Sequence, residues 1–481
     1  MLKPLQPLFP YLKKHRPGYA VGTVSVLLQN GIAVFIPLLI GRAIDHLKNG
    51  VSQRQLLLDA ALILGVWCAK GIFLFLNRKV VISISREIEF EMRNDLFRHL
   101  EGLSYSFYQR TRTGDVMARA TNDLNAVRML LGPAIMYSAN TLVFTVAALF
   151  FMVHLSPSLT LYAFAPLPIV SIVVQYFGRQ IHERFERIQA MFSDISARAQ
   201  ENFSAARVVR AYVQEDAEIA NFETANTEYI NRSLKLVRLM GMLWPTLTTL
   251  LGFAIVLVLW LGGRQVIQGH MSVGDFVAFL TYMVQLTWPV IALGWVINIF
   301  QRGTASMGRI NEILQEQPEV VDVAANGSAP AAVTGEIEFR GLNFAYDGTS
   351  VLRDVNLRIP AGSSLAIVGP TGSGKSTLVS LIPRIYDAAP GSVLLDGRPI
   401  TEFSLATLRR SIGFVPQETF LFSDSVEGNI AFGTDQTTPE DVRRAAEAAN
   451  IAADIESFPE QYATMVGERG ITLSGGQKQR T

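Results

Sequence analysis

This sequence contains very little cysteine and few charged residues. Of 481 residues one is cysteine, Cys68, which excludes an internal disulfide framework. Charged residues make up 17% of the chain, against about 25% in ordinary soluble domains. Lys plus Arg number 42 and Asp plus Glu 41, so there is no basic excess to neutralise nucleic acid. The composition therefore indicates a membrane protein and argues against a nucleic-acid partner.

Long runs without any Asp, Glu, Lys or Arg mark the spans. These runs are Pro17 to Gly41, Met129 to Gly178, Leu239 to Gly263 and Phe276 to Gln301. Each can cross about 30 Å of hydrocarbon as a helix. The second run is about twice the necessary length, and "VHLSPSL" at its middle predicts a turn between two spans. Leu56 to Leu76 is predicted to be the sixth span, with Asp59 near an interface and Lys70 snorkelling or facing a wet interior.

The distribution of Lys and Arg predicts how the spans are oriented in the membrane. The connections Arg78 to Arg128 and Arg179 to Arg238 carry nine Lys or Arg each, which favours a cytoplasmic N-terminus and cytoplasmic long connections. Residues 1–16 are predicted to form an interfacial helix. Apolar residues at three- and four-residue spacings indicate that the spans continue as helices into the cytoplasm. We expect a multi-pass protein of the cytoplasmic (inner) membrane.

The pattern changes after a breaker-rich linker, residues 315–334. Beyond it, short apolar runs predict strands in "EIEFRGLNFAY", "SSLAIVG", "SVLLDG" and "SIGFVPQ", with helical segments between them. The predicted fold is an all-α six-span transmembrane domain (17–314) with long cytoplasmic helices, followed by an α/β P-loop nucleotide-binding domain (335–481).

The most specific motif is "LAIVGPTGSGKSTLVSLI", in which a strand, Leu365 to Val368, is predicted to enter a loop of G-x-x-x-x-G-K-[ST] spacing. The predicted nucleotide-binding residues are Gly369, Pro370, Thr371, Gly372, Ser373, Gly374, Lys375, Ser376 and Thr377. Glycines let the loop turn several N–H groups toward one anion. Lys375 adds a charge for the β and γ phosphates, and Ser376 offers a hydroxyl to Mg²⁺. The predicted cofactors are ATP and Mg²⁺.

Together with this loop, "LSGGQ" at Leu473 to Gln477 makes the nucleotide region similar to the ATP-binding-cassette (ABC) family. The whole chain resembles a bacterial half-transporter of the exporter type. The resemblance implies ATP-driven export of an amphipathic, lipid-like or drug-like substrate by alternating access, in a homodimer embedded in membrane lipid. It also implies that each cassette contacts the ATP of the other through Ser474, Gly475, Gly476 and Gln477.

Other positions take roles from the resemblance. Tyr346 matches the aromatic that stacks on adenine, and Gln417 the glutamine that meets Mg²⁺ and the attacking water, so that Lys375 and Gln417 are the candidate catalytic residues. "VGERG", residues 466–470, matches a segment that contacts the cytoplasmic helices. Segments starting at Arg110 and Ala205 match the short helices that plug into the cassettes. Their charges, Arg112, Asp115, Arg119 and Asp123, can alternatively form a solvated face.

The resemblance also implies features that do not appear. After "LSGGQ", the signature sequence of the family, a strand ending in Asp-Glu and then a switch histidine are expected. All six histidines instead precede the linker. Asp396 in "SVLLDG" is rejected as the missing carboxylate, because Gly397 follows it and it precedes Gln417. We expect the 481 residues to be an incomplete reading of a longer protein. The alternative is a short product that binds nucleotide poorly, or a nucleotide-binding membrane protein without turnover.

Polar and aromatic residues within the spans are candidates for a substrate cavity. They are Gln29, Asn30, Lys70, Asn140, Gln285, Trp244, Trp288 and Trp295. Polar groups in spans tend to face the bundle interior. Hydrogen bonds between helices are the alternative role for them.

Overall fold

The structure, a computed structural model, divides the chain into two compact units. The helical unit is Met1–Arg98 and Met117–Gln315, and the mixed unit is His99–Val116 and Glu316–Thr481. The residues described are 3–322, 333–346, 348–434, 436–467 and 473–481. Residues 323–332, half of the predicted linker, and the part of "VGERG" after Gly467 lie outside the described residues.

Six long helices form the framework of the helical unit. They are α1 (Arg16–Lys48), α2 (Gln53–Gly102), α3 (Thr113–Leu155), α4 (Pro157–Ser204), α5 (Glu215–Ile267) and α6 (Val273–Gln315). Each is long and apolar enough to cross a membrane, which confirms the six predicted spans. α2 has 50 residues, which is about 75 Å of helix and well over twice the thickness of a hydrocarbon core.

The N-terminal segment folds against α2. A 3₁₀ turn, Lys3–Leu8, leads into a short helix, Phe9–Lys14. The Tyr11 hydroxyl donates to the Asp95 carboxylate at 2.6 Å, and the Lys14 ammonium donates to Glu91 at 2.7 Å. These two contacts tie residues that are about 80 positions apart in the chain.

The predicted turn between the third and fourth spans has a clear local cause. α3 ends at Leu155, and Ser156 adopts an extended conformation. The Ser156 hydroxyl then accepts a hydrogen bond from the Leu159 N–H at 3.3 Å, and Pro157 occupies the first position of α4. A serine cap followed by proline is the pattern that begins a helix at once, so the hairpin needs almost no loop.

α1, α3 and α6 pack into the core of the helical unit. Phe279 and Met152 are completely buried there, and the hydroxyl of the equally buried Tyr282 donates to the Val34 carbonyl. α1 and α6 approach closely where Gly41 faces Gly274, since a Cβ at either position would overlap the other residue's carbonyl oxygen. Glycines that allow backbones this close are characteristic of membrane helix pairs.

The mixed unit contains two small antiparallel sheets and short helices. Its strands are β1 (Ile337–Tyr346), β2 (Thr349–Ile359), β3 (Val393–Leu395), β4 (Arg398–Pro399), β5 (Asp424–Ser425) and β6 (Met465–Val466). Its helices are Tyr105–Arg110, α7 (Lys375–Leu381), α8 (Leu405–Arg410), α9 (Val426–Ala431), α10 (Pro439–Ala448), α11 (Ala452–Glu456) and α12 (Gly475–Arg480). The strand orders are β2-β1-β3-β4 and β5-β6. Ile337 lies opposite both Ile359 and Leu395, so β1 is central in the larger sheet.

Two predicted strands are wrong. Residues 365–368 and the "SIGFVPQ" segment, 411–417, form no strand in the described chain. Their apolar side chains are exposed, with Val368 at 89% and Val415 at 71% of full accessibility. A strand exists only when a neighbouring backbone accepts and donates its hydrogen bonds. Among the described residues no segment pairs with either of these, so neither forms a strand.

The close contact of α1 with α6 yields a prediction. Gly41→Ala should lower the stability of the helical unit by about 1–3 kcal/mol, because the added methyl group overlaps the Gly274 backbone, which cannot rotate away. Gly31→Ala on the same helix meets nothing within 4 Å and should be neutral or slightly stabilising. Thermal unfolding of the purified protein in one detergent compares the two variants. Equal melting temperatures would contradict the proposed contact.

Candidate nucleotide-binding site

The glycine-rich loop lies between residues 365–368, which form no strand, and helix α7. Gly374 immediately precedes α7 with φ of 86°, a left-handed conformation that favours glycine. A Cβ at Gly374 would lie 2.8 Å from the Leu352 side chain, so the packing against β2 also requires glycine. The loop enters the helix in the conformation that the motif predicts, although the strand before it is absent.

Lys375 folds back over its own loop. Its ammonium group donates to the Gly369 carbonyl at 2.9 Å, to the Pro370 carbonyl at 2.8 Å and to the Ser373 hydroxyl at 3.4 Å. All three acceptors are neutral, and Lys375 is half-buried. Anionic oxygens form stronger hydrogen bonds to an ammonium than neutral oxygens do. The positive charge is thus held at the mouth of the loop, where a phosphate could replace these acceptors.

The two predicted Mg²⁺ ligands lie side by side. The Ser376 hydroxyl, on the first turn of α7, donates to the Gln417 side-chain oxygen at 3.2 Å. The two residues are 41 positions apart in sequence, so the fold brings them together. A hydroxyl and an amide oxygen are hard, neutral ligands of the kind that Mg²⁺ accepts alongside phosphate oxygens. The residues present therefore fit a magnesium ion bound with a triphosphate.

Tyr346, the predicted adenine contact, ends strand β1 next to α7. Its hydroxyl donates to the Thr377 hydroxyl at 3.3 Å. Its ring packs edge-on against Phe344 at 5.0 Å and against Tyr386 at 5.2 Å between centroids. Sequence reasoning missed Tyr386, since an aromatic residue after a helix carries no signal of its own. The structure brings Tyr346, Thr377, Ser376 and Gln417 into one region around α7.

The signature residues form a separate feature. Ser474 caps α12: its hydroxyl accepts from the Gln477 N–H at 3.2 Å, and its own N–H donates to the Gln477 side chain at 2.9 Å. Gly475 and Gly476 are exposed, with open space where a Cβ would be. Leu473 packs in a small core with Val426 and Ile455, whereas α7 belongs to the larger core around Phe339 and Leu381. The structure therefore does not unite the signature with the phosphate loop of the same chain.

Asp396 has a structural role in the mixed unit. Its carboxylate accepts hydrogen bonds from the N–H groups of Thr334 at 2.7 Å and of Glu336 at 2.9 Å. The hydrogen bond from the Thr334 hydroxyl is the main reason why the pKa of Asp396 lies below its usual value. This carboxylate holds the start of β1, which agrees with its rejection as a catalytic group.

The four charged residues predicted either to couple to the cassettes or to form a solvated face divide into two groups. Asp123 is buried and binds the Arg309 guanidinium and the Ser306 hydroxyl, and Arg119 lies 3.7 Å from Glu312. These pairs join α3 to α6 and do not form a purely solvated face. Arg112 and Asp115 are exposed, as the alternative prediction requires.

The candidate cavity residues have different surroundings. Asn30 and Asn140 hydrogen-bond to each other at 2.8 Å, which supports the helix-to-helix role for this pair. Lys70 lies over the Trp67 ring at 4.5 Å, and Trp295 packs on Tyr137 at 5.0 Å. Gln29 is buried and Gln285 half-buried, whereas Trp244 and Trp288 are mostly exposed.

Comparisons with known proteins agree with this arrangement. The family model of the ABC transporter transmembrane region matches residues 19–290, and that of the ABC transporter matches residues 352–481. The probable multidrug resistance ABC transporter ATP-binding/permease protein YheI of Bacillus subtilis is 34% identical, over 100% of this chain and 82% of that protein. The ATP-dependent lipid A-core flippase of Syntrophus aciditrophicus is 34% identical, over 98% of this chain and 78% of that protein.

Both matched regions lie on one polypeptide, with the membrane region first. The structure likewise contains a phosphate-binding loop and six helices that are able to span a membrane. The chain therefore belongs to the ABC transporter family, whose members are ATP-binding transport ATPases, and it is similar throughout to half-transporters of the multidrug and lipid A flippase type.

Proposed function

We propose that the chain exports an amphipathic, lipid-like or drug-like compound across the cytoplasmic membrane, driven by ATP, as a homodimer that alternates between inward and outward access. The observation that carries the proposal is the Ser376–Gln417 contact beside a lysine-bearing phosphate loop, on a chain with six spanning helices. The relatives named as a multidrug resistance transporter and a lipid A-core flippase support this substrate class. The domain limits and the cytoplasmic orientation predicted above are part of the proposal.

Each residue of the phosphate loop has a proposed task. The backbone N–H groups of residues 369–377, except Pro370, and the Lys375 ammonium hold the triphosphate. Ser376 and Gln417 hold Mg²⁺, which supplies positive charge to the β and γ phosphate oxygens when bound. Gln417 also orients a water near the γ-phosphate, and Tyr346 stacks on adenine.

The separation of the signature from the phosphate loop supports a dimer. The exposed N-terminus of α12 contains the four signature residues Ser474, Gly475, Gly476 and Gln477. The neighbouring Leu473 packs in a different core from α7. We assign these residues to the nucleotide held by a second copy. One chain then supplies half of each of two sites, and neither site is complete without the partner.

Two further exposed surfaces fit the same dimer. At the tip between α4 and α5, Tyr212 and Val213 are 73% and 81% exposed, and Val213 has φ of 53°, which is strained for a β-branched residue. In the mixed unit Phe422 stacks on Phe432 at 4.3 Å, and Phe432 is 69% exposed. Because an exposed aromatic stack is typical of a binding surface, we propose that the tip of one copy docks on the aromatic stack of the other.

Transport is tested with the purified protein in sealed vesicles. The proposal expects Mg-dependent ATP hydrolysis that an amphipathic compound stimulates, together with movement of a fluorescent lipid between leaflets. Nucleotide binding without phosphate release would overturn the export proposal and support the nucleotide-binding protein without turnover.

Ser376→Ala should weaken binding of ATP about tenfold when Mg²⁺ is present and by less than about twofold in EDTA, because the variant removes one metal ligand and leaves the loop amides and Lys375 in place. Titration calorimetry with and without Mg²⁺ measures both values. Ser380→Ala, one turn further along α7, is the matched control. An equal loss under the two conditions would contradict the assignment of Ser376 to the metal.

Cross-linking tests the dimer contact. The native Cys68 is first replaced by serine, and two differently tagged copies are produced together, one carrying Tyr212→Cys and the other Phe432→Cys. A short bifunctional thiol reagent should join the two tags. A copy with Arg398→Cys, also exposed, replaces Phe432→Cys as the control and should not react. If both pairs link equally well, the proposed docking is wrong.

A further inference from the structure

Residues 316–322 follow α6 in the chain and belong to the mixed unit. We call this segment the strap. Its end is bound at two points. The Val321 carbonyl accepts a hydrogen bond from the Arg384 guanidinium at 3.2 Å, and the Asp322 carboxylate accepts one from the Leu405 N–H at 3.2 Å. The end of the strap therefore contacts both the segment after α7 and the first residue of α8.

The Arg384 side chain is fixed by contacts other than the strap. It is 1% exposed, and its guanidinium donates two hydrogen bonds to the Asp387 carboxylate, at 2.7 and 2.8 Å. Its backbone φ of 51° is uncommon for a residue with a side chain. Arg409 holds this backbone by donating to the carbonyls of Pro383 at 3.1 Å and of Arg384 at 2.9 Å. Since Val321 is 51% exposed, the strap is the part of this contact that can move.

Two charged atoms at this contact lack a hydrogen-bond partner. They are Arg384 Nη1 and Asp322 Oδ1, and both are buried. Of the charged side chains that the structure describes in the mixed unit, these two alone have a buried nitrogen or oxygen without a partner. One is a donor and the other an acceptor, and Asp322 directly follows Val321, whose carbonyl Arg384 already binds. Buried charged groups are costly unless they are paired, so each atom is the natural partner of the other.

We propose that Arg384 and Asp322 form an ion pair that latches the end of the strap. In this pair Arg384 Nη1 donates to Asp322 Oδ1, while the hydrogen bonds to Asp387 and from Leu405 stay in place. The latch adds a charged contact to the backbone contact at Val321. Its opening and closing set how firmly the connection from α6 to β1 is bound to the mixed unit. The latch requires neither ATP nor transport, so the inference does not depend on the proposed function.

Hydrogen exchange of the full chain in detergent, followed by mass spectrometry, tests the latch. Asp322→Asn keeps one oxygen for the Leu405 N–H and replaces the other with an NH₂ group, which cannot accept from Arg384. The variant should raise the exchange rate of the strap amides about tenfold, the effect of one hydrogen bond between charged groups. An unchanged exchange rate would overturn the latch.

Arg384→Met removes the guanidinium, so Asp322→Asn should have no further effect in that background. Asp454→Asn is the matched control, because this carboxylate of the same unit lies 3.1 Å from Arg480 and its loss should leave the strap unchanged. The latch is wrong if Asp322→Asn acts equally with and without Arg384, or if the control speeds the exchange of the strap just as much. Exchange in β1 shows whether each variant is folded. Should Arg384→Met not fold, the comparison of Asp322→Asn with Asp454→Asn decides.

Discussion

A backbone N–H or C=O group removed from water needs a hydrogen-bond partner, and this requirement shapes both units. In the helical unit each helix satisfies it internally, so apolar stretches of any length fold without help from neighbouring segments. In the mixed unit a strand satisfies it only through another strand. β1 has neighbours on both sides and becomes the centre of a sheet, whereas residues 365–368 are just as apolar but form no strand and remain exposed.

The same requirement explains which predictions succeeded. The six helices and the turn at Ser156 follow from local patterns, namely runs free of charge and a serine cap before proline. The phosphate loop follows from glycine spacing, and its conformation at Gly374 agrees with that spacing. The strand predictions for residues 365–368 and 411–417 are wrong because hydrophobic pattern reports what a segment can bury and carries no information about which backbone it pairs with.

Contacts between residues far apart in the chain could not be predicted from the sequence pattern either. The spacing of Ser376 and Gln417 contains nothing that brings them within 3.2 Å, and only the family resemblance had linked them. Tyr386 had no signal of either kind. It gains significance only from the neighbours that the fold supplies, here the rings of Tyr105 and Tyr346. Long-range polar contacts of this type are decided by tertiary packing and are therefore invisible to periodicity.

The mixed unit also shows why adenine and phosphate can be recognised by different physics. The phosphate loop uses backbone groups and one ammonium, whose positions are held by glycine geometry and by α7. The proposed base contact uses a side chain at a strand end, and a half-buried ring has several low-energy orientations unless its surroundings select one. Phe344, Tyr386 and Thr377 together restrict Tyr346. The proposed triphosphate contact therefore depends on the backbone of a glycine-rich loop, whereas the proposed base contact depends on the neighbours of one ring. One of these neighbours, Tyr386, also meets the Tyr105 ring of the helix Tyr105–Arg110 edge-on.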